Sequence, residues 1–343
     1  MAETRQRTAL VTGSAGFIGF HVAKALLADG WRVVGFDAMT DYYDVQLKQR
    51  RNQGLLQNQH YKFIEERLET PGVLRELCAT EQPDLVIHLA AQAGVRYSID
   101  EPRSYVDANL VGTFELLEAV RATPTGHLMM ASSSSVYGAN TELPYAEHHK
   151  ADTQLSFYGA TKKATEVLAH SYSHLYAIPV TMFRFFTVYG PWGRPDMALF
   201  KFTRAILNGE PIDVYNHGDM RRDFTFIDDL AAAIAALGAV APTVPGAVED
   251  EDRDEIGLSP VAPWRVINIG NNQPVQLTDF IDALEQALGR KAERNLMPMQ
   301  QGDVPATWAD ATLLARLIDS PPSTPVSEGI ARFVAWYRDY YQV

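Results

Sequence analysis

The feature that most constrains the fold is a glycine-rich turn between a short apolar strand and a helix. Residues 8–12 (TALVT) predict a buried strand, residues 13–19 (GSAGFIG) predict the turn, and the following HVAKALLADG predicts the helix. WRVVGFD, residues 31–37, then predicts a second apolar strand that ends in an acid. This order is the βαβ unit, so the chain must begin as part of a parallel sheet.

The same alternation of helices and strands continues through the first half of the chain. Helix–strand pairs are predicted within residues 71–90, 111–135 and 157–185. Strands that alternate with helices indicate a doubly wound parallel sheet, covered by helices on both faces. After Val188 the alternation weakens, and residues 242–263, rich in proline and acid, predict a surface loop.

The glycine turn and the acid after it have the chemistry of a dinucleotide site. Gly13 allows the tight turn, Gly16 the close approach of a pyrophosphate, and Gly19 close packing of helix on strand. The helix N-terminus supplies free N–H groups for the anion. Asp37 can accept from both ribose hydroxyls and would repel a 2′-phosphate, which favours NAD over NADP. A glycine turn in some other α/β protein is the alternative.

A tyrosine and a lysine have the spacing of one helical turn. Tyr158 and Lys162 form YxxxK, so they lie on the same face of the predicted helix. We expect the lysine ammonium to lower the tyrosine pKa, and the tyrosine to act as a base toward a substrate hydroxyl. Ala131–Ser135 ends a strand at the carboxyl edge of the sheet, where such folds place ligands. A surface helix pair and a plain polar turn are the alternatives.

These features suggest two unequal lobes. Residues 1–188 are predicted to form a Rossmann-like NAD-binding domain, to which a later segment, about 223–242, returns. Residues 189–343 are predicted to form mostly a smaller C-terminal substrate-binding lobe.

Composition excludes several classes of protein. The net charge is −12 and there is no basic run, so nucleic acid and anionic membranes are poor candidates for partners. The single cysteine, Cys78, excludes an intramolecular disulfide, and the nine histidines lack metal-ligand spacing, so no metal is expected. The polar start MAETRQR lacks the apolar run of a signal peptide, and the apolar stretch 230–241 is too short for a bilayer. We therefore expect a cytoplasmic protein.

The chain resembles the extended short-chain dehydrogenase/reductases that act on nucleotide sugars, and among them the UDP-glucuronate 4-epimerases. The resemblance covers nearly the whole chain, and RFFTVYGPWGRPDMA is its most specific segment. It is carried by GSAGFIG, Asp37, HLAAQAGVR (88–96), SSSSVYG (132–138), YGATK (158–162) and RFFTVYGPWGRPDMA (184–198).

The resemblance implies a role for each matching residue. Tyr158 would be the catalytic base, Lys162 would hold the nicotinamide ribose, and Ser133 would share the substrate proton. Arg222 and Asp303 would contact the UDP moiety. One departure lies near Arg67, where relatives often carry an aspartate that meets the adenine. The residues implied to contact NAD are Gly13, Gly16, Phe17, Ile18, Gly19, Asp37, Leu89, Ala90, Ala91, Gln92, Tyr158 and Lys162.

The family's enzymes share a 4-keto sugar intermediate and differ in its fate. Dehydratases carry Asp-Glu after the catalytic residue, and decarboxylases carry Glu at the second of these places. Here the two places are Ser134 and Ser135, which favours simple 4-epimerisation of UDP-glucuronate. The 4-keto glucuronate is a β-keto acid, so its carboxylate must be held out of line with the carbonyl. Ser134, Ser135 and Thr187 are the candidate donors, while Arg194 is either a further substrate contact or a loop salt bridge.

Three alternative functions stay open on the sequence alone. The chain could epimerise a neutral or N-acetylated UDP-sugar, or it could decarboxylate UDP-glucuronate. From a different class, it could be a non-catalytic NAD-binding sensor, although a sensor needs none of Ser133, Tyr158 and Lys162. The helices at 103–122 and 157–176 could pair across a homodimer, as they do in relatives.

Overall fold

A central parallel sheet organises the computed structural model, which describes residues 5–247, 249–300 and 303–343. All neighbouring strands of this sheet are parallel. Numbered in chain order, its strands are β1 (Thr8–Thr12), β2 (Arg32–Asp37), β3 (Tyr61–Glu65), β4 (Leu85–His88), β5 (His127–Ser133), β6 (Val180–Phe185) and β10 (Trp264–Ile269).

The strand order places a crevice beside the first strand. The sheet runs β3–β2–β1–β4–β5–β6–β10. The chain first adds β2 and β3 on one side of β1, and then adds β4, β5, β6 and β10 on the other side. The connections of β1 and β4 therefore leave the sheet on opposite sides, and a crevice opens at their carboxyl ends. The predicted fold class is confirmed.

Helices cover both faces of this sheet. Adjacent residues of β1 face opposite layers: Val11 packs in the apolar cluster on the side of α1 (Phe17–Ala28), and Leu10 in the cluster on the side of α6 (Gly112–Ala122). The helices are α1 (Phe17–Ala28), α2 (Val45–Leu55), α3 (Val73–Glu81), α4 (Tyr97–Asp100), α5 (Pro102–Tyr105), α6 (Gly112–Ala122), α7 (Phe157–Tyr176), α8 (Ala198–Asn208), α9 (Ile227–Leu237), α10 (Asp250–Glu255), α11 (Leu277–Leu288), α12 (Thr312–Leu317) and α13 (Val326–Tyr341).

The C-terminal half adds two small sheets. In the first, β9 pairs with β7 and β13 in parallel and with β11 in antiparallel orientation. In the second, β8 pairs with β12. Their bounds are β7 (Thr187–Tyr189), β8 (Ile212–Val214), β9 (Arg221–Phe226), β11 (Pro274–Gln276), β12 (Arg294–Leu296) and β13 (Ala306–Thr307).

Two later segments of the chain return to the first half. Helix α9 packs on α1, and His21 Nδ1 of α1 lies 3.1 Å from Asp228 Oδ1 of α9. Strand β10 adds the outermost strand of the sheet next to β6. One apolar cluster runs from Val11 through α9 to Phe280 and Phe333, so the two halves are joined by a continuous core.

Two further expectations concern the surface. The acidic segment expected to be a loop contains the short helix α10. Among the residues that the structure describes, no helix is both long and apolar enough to cross a bilayer.

Candidate active site

A cavity of about 300 Å³ opens at the carboxyl ends of the central strands. Two residues predicted to contact the substrate, Ser133 and Arg194, lie in its wall. The residues predicted to contact the cofactor all line the same cavity: Gly13, Gly16, Phe17, Ile18, Gly19, Asp37, Leu89, Ala90, Ala91, Gln92, Tyr158 and Lys162.

The glycine turn is built for close backbone approach. Gly13 has a φ of 74°, and a Cβ there would lie 2.6 Å from the Ala90 nitrogen. A Cβ on Gly19 would lie 2.0 Å from the Gly13 carbonyl oxygen. Gly16 is the N-cap of α1, and no side chain of the described residues caps this helix, so its first N–H groups are left for a ligand. The turn fits the pyrophosphate of a dinucleotide.

Asp37 stands at the end of β2 with its carboxylate fixed by backbone. Oδ2 accepts from the Ala15 N–H at 3.1 Å and Oδ1 from the Met39 N–H at 2.9 Å. Each oxygen keeps a lone pair for a ribose hydroxyl. Nearby, Arg67 lines the cavity but is paired with Glu69 at 2.5 Å.

Tyr158 and Lys162 lie one turn apart on α7, beside the end of β5. Lys162 Nζ donates to the Ala131 carbonyl at 2.9 Å, and burial lowers the pKa of Lys162 to about 8. Burial raises the pKa of Tyr158, while the hydroxyl of Ser133 and the charge of Arg194 act in the opposite direction. The net shift of the Tyr158 pKa in this structure is upward, because burial dominates and the Lys162 ammonium is directed to a carbonyl.

The serine run divides between two positions. Ser133 lies in the cavity wall, and its Oγ accepts from the Ser135 N–H at 3.2 Å. Its hydroxyl hydrogen is therefore free to donate to a substrate oxygen or to the Tyr158 oxygen. Ser134 and Ser135 begin a 3₁₀ turn, are half-buried, and are not among the described residues that line the cavity.

Thr187 and Arg194 both line a second, smaller cavity next to the main one. Thr187 lines a smaller neighbouring cavity of about 40 Å³, and Arg194 lies in the walls of both cavities. Arg194 forms two hydrogen bonds to Asp196, of 3.0 and 2.6 Å, and lies over the Tyr42 ring. Arg194 therefore forms the loop salt bridge, with Asp196, and also faces the cavity.

Arg222 and Asp303 are not among the described residues that line the cavity, but the charge of Asp303 acts on Arg222. Arg222 donates to the carbonyls of Val304 at 2.8 Å and Pro305 at 3.2 Å. Burial lowers the pKa of Arg222, and Asp303 partly offsets this. Asp303 itself pairs with Arg96 at 3.1 Å.

Sequence reasoning missed the side chains that support this site. Asn109 donates to the Gln92 carbonyl at 3.1 Å and to the Thr161 hydroxyl at 3.0 Å, which joins the cofactor wall to α7. Glu166 accepts from Ser132 at 2.7 Å and is bridged by Arg184. One signal was available: an arginine within the apolar strand PVTMFRF requires a buried partner.

A Rossmann-like sheet whose cofactor crevice is flanked by a tyrosine and a lysine one helical turn apart is the architecture of the extended short-chain dehydrogenase/reductases. The comparisons define the class further. A family model described as the NAD dependent epimerase/dehydratase family matches residues 9–245, and the chain belongs to this family.

Several characterised or named proteins are similar over nearly the whole chain. A probable UDP-glucuronate 4-epimerase of Rhizobium meliloti (strain 1021) is 54% identical over 333 residues, which cover 97% of each chain. Protein CapI of Staphylococcus aureus is 50% identical over 97% of this chain and 99% of its own. The crystal structure of a UDP-glucuronic acid 4-epimerase from Bacillus cereus, in complex with UDP-glucuronic acid and NAD, superposes with a TM-score of 0.85 at 33% identity. That likeness covers 97% of this chain and 100% of the other.

Proposed function

We propose that this chain is an NAD-dependent UDP-glucuronate 4-epimerase, which interconverts UDP-glucuronate and UDP-galacturonate through a 4-keto intermediate. The observation that carries the proposal is one cavity with Ser133, Tyr158 and Lys162 at one end and the glycine turn with Asp37 at the other. The identity of 54% to a probable UDP-glucuronate 4-epimerase supports the choice of sugar.

Tyr158, Ser133 and Lys162 would have different roles in the proton transfer. NAD, when bound, supplies a reversible hydride acceptor. Tyr158 takes the proton of the C4 hydroxyl and later returns it, and Ser133 donates to the same oxygen. Burial raises the pKa of Tyr158 and so favours the neutral phenol, and a nearby cation is needed to lower that pKa so that the phenolate can accept the substrate proton. Lys162 supplies such a cation when its ammonium turns from the Ala131 carbonyl to the nicotinamide ribose.

The carboxylate of the sugar requires separate control, because a β-keto acid loses CO₂ when its C5–C6 bond aligns with the carbonyl. Ser134, Ser135 and Thr187 are the neutral donors that we propose hold it out of alignment. The support is local: the 3₁₀ turn places Ser134 and Ser135 directly after Ser133, and Arg194 lines both the cavity of Thr187 and the main one. Neutral donors can hold an anion without blocking rotation of the ring.

The second lobe would receive the nucleotide. We assign Arg222 and Asp303 to the UDP moiety, since the charge of Asp303 acts on Arg222 and Arg222 has no carboxylate hydrogen-bonded to it among the described residues. In this division, residues 1–188 with the segment 223–242 bind NAD, and residues 189–343 mostly bind the sugar nucleotide.

Association and location are part of the same proposal. Apolar side chains stand exposed on α6 and α7, among them Phe114, Val167 and Leu175. Exposed apolar faces of this kind mark interaction sites, which supports pairing of the two helices across a homodimer. The single, buried thiol of Cys78 is compatible with the reducing cytoplasm.

The test is incubation of purified protein with UDP-glucuronate, with and without added NAD⁺, and analysis of the products by proton NMR. UDP-galacturonate without UDP-pentose is the expected product, and its formation without added NAD⁺ would show a retained cofactor. UDP-xylose or a 4-keto pentose would instead indicate a decarboxylase. No turnover would favour a neutral or N-acetylated sugar, tested with a panel of such nucleotides.

Two variants complete the test. Tyr158→Phe is expected to abolish turnover and retain NAD, whereas a non-catalytic NAD sensor would keep its function. Thr187→Val is expected to release CO₂ or lose turnover of the acid sugar. Intact turnover without CO₂ in this variant would refute the carboxylate assignment.

A further inference from the structure

Arg51 on α2 is a fully buried cation without an acidic partner among the described residues. Its side chain is 0% exposed. The guanidinium donates to the carbonyls of Ala15 at 3.0 Å, Trp192 at 2.5 Å and Gly193 at 3.2 Å, and to the Tyr43 hydroxyl at 2.8 Å. Burying such a charge is unfavourable unless its hydrogen bonds are satisfied, so the position of these acceptors decides what the residue does.

The three carbonyl acceptors belong to two loops that each contribute residues to the active-site cavity. Ala15 lies in the glycine turn, between Gly13 and Gly16, which line the dinucleotide end. Trp192 and Gly193 lie in the loop of residues 190–196, which carries Arg194 into the cavity wall. Arg51 itself is not among the described residues that line the cavity. Arg51 therefore bridges the two loops without lining the cavity itself.

The loop of residues 190–196 needs such a support. Trp192 adopts a φ of 61°, the left-handed region that is unfavourable for a residue with a Cβ. The carbonyl of this strained residue is the one that accepts the shortest of the Arg51 hydrogen bonds. Because one planar guanidinium serves both loops, neither can move without breaking bonds that hold the other.

We propose that Arg51 is a positioning residue that couples occupancy of the dinucleotide site to the conformation of residues 190–196. A dinucleotide that fixes the glycine turn would fix Ala15, and through Arg51 it would hold the loop that presents Arg194 to the sugar. The identity of that sugar rests on the proposed function, but the coupling does not.

Hydrogen exchange of the loop amides with and without NAD measures this coupling directly. The Gly193 N–H bonds to the Gly190 carbonyl and the Met197 N–H to the Arg194 carbonyl, both at 3.1 Å, so they report on the loop. In the wild-type protein we expect NAD to slow exchange of residues 190–197 by about tenfold, a usual size for coupling between sites. In Arg51→Lys, which cannot reach both loops at once, NAD should still bind, as measured by calorimetry, but protection should fall below about twofold.

Arg265→Lys is the matched control. Arg265 is 1% exposed, donates to the Val240 carbonyl and to Thr181, and lies on the outermost strand away from the cavity. This variant should destabilise the fold comparably but keep the NAD-induced protection of residues 190–197. If NAD slows exchange of residues 190–197 in Arg265→Lys but not in Arg51→Lys, the loss of protection comes from the missing bridge between the two loops and not from a general loss of stability.

Two results would overturn the inference. One is that NAD leaves the loop unprotected in the wild-type protein, and the other is that Arg51→Lys keeps the same NAD-induced protection as the wild type. If Arg51→Lys does not fold, Tyr43→Phe decides, because it removes one Arg51 partner and should reduce protection to about twofold; full protection would refute the coupling. Failure of the proposed function would appear separately, as wild-type protein that does not turn over UDP-glucuronate while the exchange result with NAD alone stands.

Discussion

Replacement of Glu166 by alanine should expose how the catalytic face is held together. Glu166 lies two turns after Tyr158 on α7 and is 1% exposed. Its Oε1 accepts from Ser132 at 2.7 Å and from Arg184 Nε at 2.9 Å. Its Oε2 accepts from a second Arg184 nitrogen at 2.9 Å and from Lys163 at 3.0 Å. One carboxylate thus ties α7 to the end of β5, next to Ser133, and to β6.

The expected magnitude comes from burial. Arg184 is 3% exposed, so removal of Glu166 leaves a buried guanidinium without its counter-charge. Such a loss lowers the free energy of unfolding by about 3–5 kcal/mol. The double variant Glu166→Met, Arg184→Met removes both charges, and we expect it to lose only about 1–2 kcal/mol, mainly through the unpaired Ser132 hydroxyl and Glu147 carbonyl.

Urea unfolding of the cofactor-free protein, monitored by circular dichroism, measures these differences. The matched control is Asp152→Ala, which breaks the pair between Lys150 and Asp152, whose side chains are 78% and 56% exposed. This control should change the free energy of unfolding by less than about 1 kcal/mol. If Glu166→Ala loses no more than the control, or if the double variant is no more stable than the single one, the buried ion pair does not hold this face.

Three further perturbations test other parts of the site. Burial lowers the pKa of Lys162 from 10.5 to about 8, so the folded protein loses this proton at lower pH than the unfolded chain does. The free energy of unfolding of the cofactor-free wild type should therefore rise relative to that of Lys162→Met across this pH interval, by about 3 kcal/mol. If urea unfolding gives the same pH dependence for both proteins, the pKa shift is contradicted. Asp37→Ala should weaken NAD binding by about 10- to 100-fold in calorimetry and lower the discrimination against NADP, whereas unchanged affinity would place the ribose elsewhere. Gly19→Ala, whose Cβ would lie 2.0 Å from the Gly13 oxygen, should abolish NAD binding, while Gly54→Ala, with only an ordinary contact at 3.9 Å to Phe20, should leave it intact in the same titration.

The fold could be predicted because local patterns in the sequence carry it. The helix predicted from Phe157 to Tyr176 has those bounds in α7, and the second strand ends at Asp37 as predicted. The apolar runs, the glycine turn and the helical spacing are each set by residues a few positions apart. Part of the cofactor wall is predictable from the same patterns, namely the glycine turn and Asp37, because the carboxyl ends of parallel strands meet at one edge. The stretch from Leu89 to Gln92 was implied only by the resemblance to the family.

The supporting contacts could not be predicted, because they join segments far apart in the chain. Arg51 meets Trp192, and Arg96 meets Asp303, across separations of 141 and 207 residues. No local pattern encodes such pairs. The net direction of the Tyr158 pKa shift could not be predicted for a related reason: it depends on burial by distant elements and on the carbonyl that Lys162 binds.

The charges of the site bear on how an acidic protein can take an anionic sugar nucleotide. The chain has a net charge of −12, so its overall field repels such a ligand. Two of the nearby arginines are also engaged: Arg194 with Asp196, and Arg96 with Asp303. At these two positions an anionic ligand would exchange one anionic partner for another, whereas Arg222 donates to the carbonyls of Val304 and Pro305 and offers the phosphates a cation that is not hydrogen-bonded to a carboxylate of the described residues. Only an anion that matches the positions of Arg194 and Arg96 can displace their carboxylates, so electrostatics at these two arginines selects the ligand more than it strengthens binding.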